Sequence, residues 1–184
     1  MKKDFYTSAA KKSGLRARSA FKLLQINKAF KIIKKGYKVL DLGCWPGGWL
    51  LVAKKLGAYV VGIDEKEIEK IEGVKFIKGS VFNDELLKGL GKFDTILSDL
   101  SPKISGIPEI DIERSIELCK KALSIADEKL KMGGNFVCKI FQGKGVEEFL
   151  EKIRKKFRFV RCYKPSASKK RSKEIYVIAK YYKG

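Results

Sequence analysis

A glycine-rich loop and a later carboxylate are the first features of this sequence that could do chemistry. The loop Asp41–Trp49 has the sequence DLGCWPGGW and follows a short apolar run. Glycines in such a loop let the backbone approach a bound ligand closely. Asp64 follows the next apolar run, 21 residues after Gly43, where a carboxylate can accept both hydroxyls of a ribose. Together the two features favour a site for an adenosyl cofactor.

Each feature also has a purely structural explanation. The loop could be a tight turn, and Asp64 could cap the segment Glu65–Ile71. The glycines are Gly43, Gly47 and Gly48, a spacing that differs from the GxGxxG of dinucleotide-binding loops. An NAD-dependent dehydrogenase is therefore a disfavoured alternative.

The absence of histidine limits the catalytic groups that the chain can use. Triads built on histidine and most catalytic zinc sites are excluded. The cysteines form no CxxC pair, which argues against a zinc knuckle and against a disulfide framework; they are Cys44, Cys119, Cys138 and Cys162. We therefore expect no metal site.

Alternating apolar runs and amphipathic segments predict how these residues are positioned. We expect strands over Tyr37–Leu42, Tyr59–Ile63, Val74–Ile77, Phe93–Leu97, Phe136–Ile140, Phe159–Tyr163 and Ile175–Ala179. We expect helices over Leu15–Ile33, Trp49–Leu56, Asn83–Leu90, Ile110–Leu130 and Val146–Phe157. The alternation is typical of a doubly wound α/β fold with a mostly parallel sheet, and the last two strands would form an antiparallel hairpin at its edge.

Ligands of such sheets bind at the carboxyl ends of the strands. That rule selects Asp41–Gly48, Asp64, Asp99 and Lys139–Gln142. Asp99 could instead form a turn. Lys139 lies inside the apolar run Phe136–Phe141, where a lysine is unusual unless it faces a cleft.

The 184 residues suit one domain over residues 1–184, with a basic arm and helix over residues 1–35 packed on the core. The formal net charge is +20: residues 1–38 and 151–184 each contribute +11, and residues 39–150 contribute −2. Such a distribution favours a polyanionic partner, although a lysine-rich surface also occurs in heat-adapted proteins. No apolar run approaches the ~18 residues of a membrane span, and no secretory signal is visible, so we expect a cytoplasmic protein.

Five motifs in order make the chain resemble the FtsJ family of ribose 2′-O-methyltransferases, which use S-adenosylmethionine. The motifs are Gly14–Leu23, Asp41–Trp49, Leu97–Pro102 followed by Ser105-Gly106, Phe136–Gly143 and Arg171–Tyr176. The resemblance covers nearly the whole chain. It implies the Rossmann-like methyltransferase fold with a seven-stranded sheet, and we expect a monomer.

The resemblance also implies which residues act. The family's catalytic Lys-Asp-Lys-Glu set falls on Lys22, Asp99, Lys139 and Glu174. The cofactor contacts, with the glycines of the loop, fall on Gly43, Gly47, Gly48, Trp49, Asp64, Ser80 and Asp99. Ser80 departs from the family, which often has an acidic residue there at the adenine edge. From sequence alone, Lys22 could be a solvated side chain and Glu174 could form a local ion pair.

Methyl transfer to a ribose oxygen needs a base within about 2.6–3.2 Å of the attacking 2′-hydroxyl. In a chain without histidine, a neutral lysine is the natural candidate. The resemblance implies that Lys139 is the base or the orienting group, with Asp99 orienting it. Lys22 would hold the adjacent phosphate or the hydroxyl oxygen, and Glu174 would position one lysine and the ribose.

The resemblance suggests a uridine of large-subunit ribosomal RNA as the acceptor, in the RNA or in the ribosomal subunit. A related branch of the family that modifies the tRNA anticodon loop is the first alternative. An RNA-binding ribosome assembly factor, whose methylation is incidental, is an alternative of another class. We expect RNA contacts from Lys11, Lys12, Arg16, Arg18, Lys169, Lys170 and Arg171.

Overall fold

The computed structural model describes residues 14–184 as helices packed on a seven-stranded sheet. The helices are α1 (Ser19–Phe30), α2 (Gly48–Lys55), α3 (Pro108–Lys129) and α4 (Val146–Lys156), with a 3-10 turn over Asp84–Leu87. The strands are β1 (Lys38–Leu42), β2 (Tyr59–Asp64), β3 (Val74–Lys78), β4 (Phe93–Ser98), β5 (Leu130–Phe141), β6 (Phe157–Tyr163) and β7 (Glu174–Tyr182).

The sheet has the order β3-β2-β1-β4-β5-β7-β6. Strands β1 to β5 pair in parallel, whereas β7 is antiparallel to both β5 and β6. The predicted parallel sheet with an antiparallel edge hairpin is therefore confirmed. The strand order reverses between β1 and β4, which is where ligands bind in open α/β sheets.

Helices cover both faces of the sheet, as the doubly wound pattern predicts. On one face, Leu23 and Ile26 of α1 and Leu50 of α2 are fully buried in one apolar cluster. On the other face, Ala122 of α3 and Phe149 of α4 belong to a second cluster. These two clusters fix α1 and α3 on opposite sides of β4 and β5. Residues from both faces can therefore reach the edge of the sheet that is formed by the carboxyl ends of its parallel strands.

Helix α1 is shorter than the predicted helix Leu15–Ile33. It ends because Lys31 adopts the left-handed conformation, with φ of 53°. Asn27 stabilises the exit, since its Oδ1 accepts a 2.8 Å hydrogen bond from the backbone N–H of Ile33. Ile33 is buried in the core without being helical, which is why the apolar spacing extended beyond the helix.

The predicted helix Asn83–Leu90 is wrong, since the segment forms only the 3-10 turn. Asn83 does cap that turn, and its Oδ1 accepts a 3.1 Å hydrogen bond from the Glu85 N–H. The turn ends after four residues because Lys88 is extended and Gly89 has a φ of 76°. Strands β5 and β7 extend furthest beyond the prediction, since β5 begins at Leu130 and β7 continues to Tyr182.

Candidate active site

The carboxyl ends of four strands bring the predicted charged residues to one edge of the sheet. Asp41 lies near the end of β1, Asp64 ends β2, and Asp99 directly follows β4. Lys139 lies two residues before the end of β5. Because these strands are neighbours in a parallel sheet, residues separated by almost a hundred positions share one edge.

Two ion pairs with little solvent exposure lie at this edge. Nζ of Lys139 is 3.2 Å from Oδ1 of Asp99 and donates a 2.8 Å hydrogen bond to the Asp99 backbone carbonyl. Nζ of Lys22, on α1, is 2.5 Å from Oε1 of Glu174, at the start of β7. The side chains are only 8% to 17% exposed, so each charge depends on its partner.

Tyr176 connects the two ion pairs. Its hydroxyl donates a 2.8 Å hydrogen bond to Oδ1 of Asp99, and Nζ of Lys22 lies 5.7 Å from the centre of its ring. Burial raises the pKa of Tyr176 well above its usual value of 10.0, and the charges of Asp99 and Glu174 raise this pKa further. The hydroxyl therefore remains protonated and acts as a donor. The four predicted residues thus form one connected group.

Sequence motifs alone did not assign Tyr176 to the site. The residue stands in the motif Arg171–Tyr176, two positions after Glu174. In β7 it pairs directly with Lys139 of β5. Paired residues of neighbouring strands point to the same face, so a correct strand register would have identified it.

The glycine-rich loop and Asp64 are hydrogen-bonded to each other. Oδ2 of Asp64 accepts a 2.8 Å hydrogen bond from the Trp45 N–H, and Oδ1 accepts a 2.9 Å bond from the Lys66 N–H. Asp64 therefore also caps the backbone that follows it, as the structural explanation of this residue predicts. Each carboxylate oxygen keeps a second lone pair for a ligand.

Gly43 lets two loops approach closely. Its φ is 75°, and a Cβ at this position would lie 2.6 Å from Cδ2 of Leu100 in the loop after β4. A larger residue would be strained by its backbone conformation and would displace Leu100. The glycine is therefore required where the β1 and β4 loops meet.

A cavity of about 420 Å³ lies between these loops. Its volume is within the usual range for small-molecule sites, about 300–1,000 Å³. The predicted cofactor contacts that line it are Gly43, Asp64, Ser80 and Asp99. Gly48 and Trp49 line a neighbouring void of about 10 Å³, whereas Gly47 lines neither space and faces Arg16.

Asp41 has an unusual environment beside that void. The residue is 1% exposed, and within residues 14–184 neither carboxylate oxygen has a hydrogen-bond partner. Burial raises the pKa of Asp41 well above its usual value of 3.8, and the charges of Asp99 and Asp64 raise this pKa further. Buried polar groups without partners are rare in native proteins, so Asp41 indicates a ligand that can donate hydrogen bonds.

Two predicted RNA contacts are used within the protein. Arg16 donates to the backbone carbonyls of Glu69 and Lys70 and is 3.4 Å from the Glu69 carboxylate. Arg18 donates a 2.5 Å hydrogen bond to the Ala167 carbonyl. Both side chains therefore hold neighbouring loops in place through hydrogen bonds to their backbone carbonyls.

The other predicted RNA contacts divide into two groups. Lys169, Lys170 and Arg171 are exposed, on the loop between β6 and β7. That loop is anchored by Lys164, whose Nζ donates a 2.6 Å hydrogen bond to the Ser172 carbonyl. Lys11 and Lys12 lie outside the described residues.

Residues 14–184 contain no candidate metal-binding group, no disulfide bond and no helix that could span a membrane. Within residues 14–184, no group of cysteine and carboxylate side chains is arranged to hold a metal ion. The cysteines of this range are free thiols, three of them buried and Cys162 exposed. Among the helices of the same range, none is long and apolar enough to cross a membrane.

Comparisons with known proteins agree with the motifs. A family model described as FtsJ-like methyltransferase matches residues 15–182. Ribosomal RNA large subunit methyltransferase E of Archaeoglobus fulgidus is 46% identical over 186 residues, covering 99% of this chain and 97% of that protein. The protein of the same name from Methanocaldococcus jannaschii is 44% identical, covering 100% of this chain and 80% of that protein.

Solved structures show the same architecture. A crystal structure from Plasmodium falciparum, described as that of a ribosomal RNA methyltransferase, has a TM-score of 0.82 at 27% identity and covers 92% of this chain and 99% of that chain. A Clostridium thermocellum structure has a TM-score of 0.60 at 24% identity, covers 86% of this chain and 96% of that chain, and supports the fold alone. The motifs, the strand order and the match over residues 15–182 lead to one conclusion: the chain belongs to the FtsJ-like methyltransferase family, whose methyl donor is S-adenosylmethionine.

Proposed function

We propose that this chain transfers the methyl group of S-adenosylmethionine to a ribose 2′-hydroxyl of large-subunit ribosomal RNA. The observation that carries the proposal is the desolvated Lys139–Asp99 pair, because Asp99 also lines the 420 Å³ cavity between the loops. Because Asp99 belongs to both, the lysine lies beside the cofactor cavity. This arrangement suits the transfer of a group from a cofactor to a hydroxyl that the lysine orients. The large-subunit acceptor is supported by the relatives named ribosomal RNA large subunit methyltransferase E, which are about 45% identical over the whole chain.

The charges around the cavity suit S-adenosylmethionine. Asp41, Asp64 and Asp99 gather at the carboxyl edge, and their mutual repulsion contributes to the raised pKa of Asp41. A ligand that brings positive charge relieves that repulsion, and S-adenosylmethionine carries both an ammonium and a sulfonium group. The pyrophosphate of NAD would add negative charge at the same loop, which disfavours the dehydrogenase alternative.

The residues present fit the parts of this cofactor. Asp64 would accept hydrogen bonds from the ribose hydroxyls, and Ser80 would contact the adenine edge in place of the family's acidic residue. Asp41 has two buried oxygens available for the ammonium group. When bound, the cofactor would supply an electrophilic methyl group to the acceptor.

The side chains of the site then orient the acceptor and handle its proton. Asp99 fixes Nζ of Lys139, and Tyr176 fixes Asp99 through its 2.8 Å hydrogen bond. Lys139 would orient the 2′-hydroxyl, and its Nζ, after releasing one proton to solvent, would accept the hydroxyl proton as the oxygen attacks, which restores the ammonium beside Asp99. Lys22, held by Glu174, would bind the phosphate or the hydroxyl oxygen, so that alignment contributes much of the rate.

The RNA would reach this edge along positive surface. Lys169, Lys170 and Arg171 are exposed on the loop that leads into Glu174. A basic loop beside the reacting groups can bind phosphates and so set the register of the strand. Since Lys22, Asp99, Lys139 and Glu174 all come from one chain, we further propose that a monomer is active, in the cytoplasm with its ribosomal substrate.

The acceptor can be identified by side-by-side transfer of labelled methyl groups. The acceptors are large ribosomal subunits that lack the modification, naked large-subunit RNA and bulk tRNA. We expect label in the subunits or their RNA, removed by nuclease and located at a 2′-O-methyl nucleoside. Label in tRNA would instead support the anticodon-loop alternative. If all acceptors stay unlabelled while the cofactor binds, the assembly-factor alternative is favoured and the proposed reaction is wrong.

Replacing Lys139 by alanine should lower the single-turnover rate of methyl transfer by about 10²–10⁴-fold, because the orienting and proton-accepting group is removed. The dissociation constant for S-adenosylmethionine should change little. Lys152→Ala, on the exposed surface of α4, controls for the removal of one lysine and should leave the rate unchanged. A near-normal rate for Lys139→Ala, with bound cofactor, would exclude this role.

Asp41→Asn should change stability and cofactor binding in opposite directions. The folded protein raises the pKa of Asp41, so at pH 8 folding requires either a buried charge or the uptake of a proton, and the amide should raise the Tm of the cofactor-free protein. Well below pH 3.8, where Asp41 is protonated in both the folded and the unfolded state, that difference should disappear. Removal of the charge should weaken S-adenosylmethionine binding about 10- to 100-fold.

Scanning fluorimetry at several pH values and calorimetric titration with S-adenosylmethionine measure both effects. Glu151→Gln, an exposed carboxylate on α4, is the control for removal of one negative charge. An unchanged dissociation constant for Asp41→Asn would show that Asp41 does not face the cofactor. A lower Tm at pH 8 would show that the carboxylate has a partner within the protein.

The basic loop should determine part of the salt dependence of RNA binding. Substituting Lys169, Lys170 and Arg171 together by alanine should reduce the slope of log K against log salt by about 0.7–0.9 for each phosphate that the variant no longer neutralises. The control triple variant removes Lys35, Lys75 and Lys155, which are exposed away from the carboxyl edge of the sheet. If both triple variants change the slope equally, the loop makes no specific contribution.

A further inference from the structure

A second cavity, of about 250 Å³, lies next to the catalytic group and has no part in the proposed transfer of the methyl group. Ile104, Pro108, Ile112 and Phe141 give it apolar walls, and Ser172 and Lys173 add polar groups. We call this cavity the apolar slot. It borders solvent, since Ile104 is 67% exposed. Apolar side chains that are grouped in a groove open to solvent can form a ligand-binding surface.

Strand register places the slot next to the reacting groups. Phe141 follows Lys139 by two residues on β5, a separation of about 7 Å along a strand. Phe141 pairs with Glu174 of β7, which directly follows Lys173. The backbone N–H of Gln142 also donates a 3.0 Å hydrogen bond to the Lys173 carbonyl, which joins the two chain segments at the slot. The slot therefore starts within one nucleotide's reach of Lys139.

One loop separates the slot from the cofactor cavity. Asp99 to Lys103 line the 420 Å³ cavity, whereas Ile104 and Pro108 line the slot. The loop is held in place because both the N–H and the hydroxyl of Ser105 donate 2.8 Å hydrogen bonds to Oδ1 of Asp111. These bonds lower the pKa of Asp111, so the carboxylate at the slot stays charged and is already engaged by the loop.

We propose that the apolar slot receives an unstacked nucleobase from the RNA segment that carries the methylated ribose. This inference rests on the proposed function, because it assumes that RNA is the acceptor. An aromatic ring and aliphatic walls suit the face of a nucleobase, which is how proteins bind splayed RNA bases. The exposed cations Lys173 and Arg171 lie beside the slot in sequence and suit the phosphates on either side of that base. The slot thus makes Ile104 and Phe141 substrate-binding residues.

The test compares two isoleucines of the same loop. Ile104 lines the slot, whereas Ile107, which is 52% exposed, does not. Because both side chains are largely exposed, Ile104→Ser and Ile107→Ser should fold normally, which thermal unfolding checks. We expect Ile104→Ser to raise the KM for the RNA acceptor about 5- to 20-fold and to leave the KM for S-adenosylmethionine unchanged. Ile107→Ser should resemble the parent protein.

Photo-crosslinking supplies a readout that does not depend on methylation. RNA containing 4-thiouridine, bound to the full chain and irradiated, should crosslink to peptides that contain Ile104 or Phe141. Crosslinks that map elsewhere, together with an unchanged KM for RNA in Ile104→Ser, would overturn the proposed role of the slot. The proposed methyltransferase reaction would be unaffected by that result. Ile104 dependence with whole subunits but not with naked RNA would identify a protein as the occupant and would also overturn the proposal.

The failure of the slot and the failure of the proposed function are distinguishable. If no RNA accepts methyl groups, the proposed function fails, and crosslinking of bound RNA still decides whether the slot takes a base. If RNA is methylated normally by Ile104→Ser, only the slot is wrong. A raised KM for S-adenosylmethionine in Ile104→Ser would mean that the loop has moved into the cofactor cavity, and the slot would again be rejected.

Discussion

The carboxylate of Asp99 is the group on which the geometry of the site depends. Its Oδ1 accepts the Tyr176 hydroxyl and faces the Lys139 ammonium, and its backbone carbonyl accepts from the same lysine. Asp99 also lines the larger cavity. Removing its charge would leave a lysine with little solvent exposure bonded to a backbone carbonyl but without its charged partner, which is a costly change in a protein. The position of Lys139 relative to the cavity is therefore fixed by one acidic side chain.

The net charge of the whole chain is positive, whereas the charges around the cavity are negative. The whole chain carries +20, and its basic residues concentrate at the two ends of the sequence. The cavity, in contrast, is bordered by Asp64 and Asp99, and Asp41 borders the neighbouring void. The charges of Asp99 and Asp64 contribute to the raised pKa of Asp41. A positive exterior attracts a polyanion at long range, whereas a negative interior selects a cationic small molecule. The two fields can therefore recruit two ligands of opposite charge to adjacent places.

Not all of the basic residues contribute to that exterior field in the same way. Arg16 and Arg18 lie in a basic stretch of sequence, but their guanidinium groups bind backbone carbonyls of the loops at Glu69 and Ala167. A guanidinium with several fixed donors is well suited to such a task. The side chains of Lys169, Lys170 and Arg171 are instead exposed on the loop before β7. The charge distribution along the sequence predicts a basic surface. The contacts in the folded protein then distinguish the cations that bind backbone carbonyls from those that are exposed and can bind RNA.

Sequence patterns were sufficient to predict the order of the strands along the chain, the carboxyl ends of the parallel strands to within one residue, and the cofactor class. Short apolar runs that alternate with amphipathic segments predict strands that alternate with helices. In sheets of this topology, ligands bind at the carboxyl ends of the strands. Motif resemblance then placed Lys22, Asp99, Lys139 and Glu174 in one site, and all four meet there. The folded chain, in contrast, links the two ion pairs through Tyr176 and buries Asp41 without a hydrogen-bond partner among residues 14–184. Only in the folded chain does the loop after β4 divide a cofactor cavity from an apolar slot. These properties depend on contacts between distant strands, and local sequence patterns do not encode the register and desolvation from which such contacts arise.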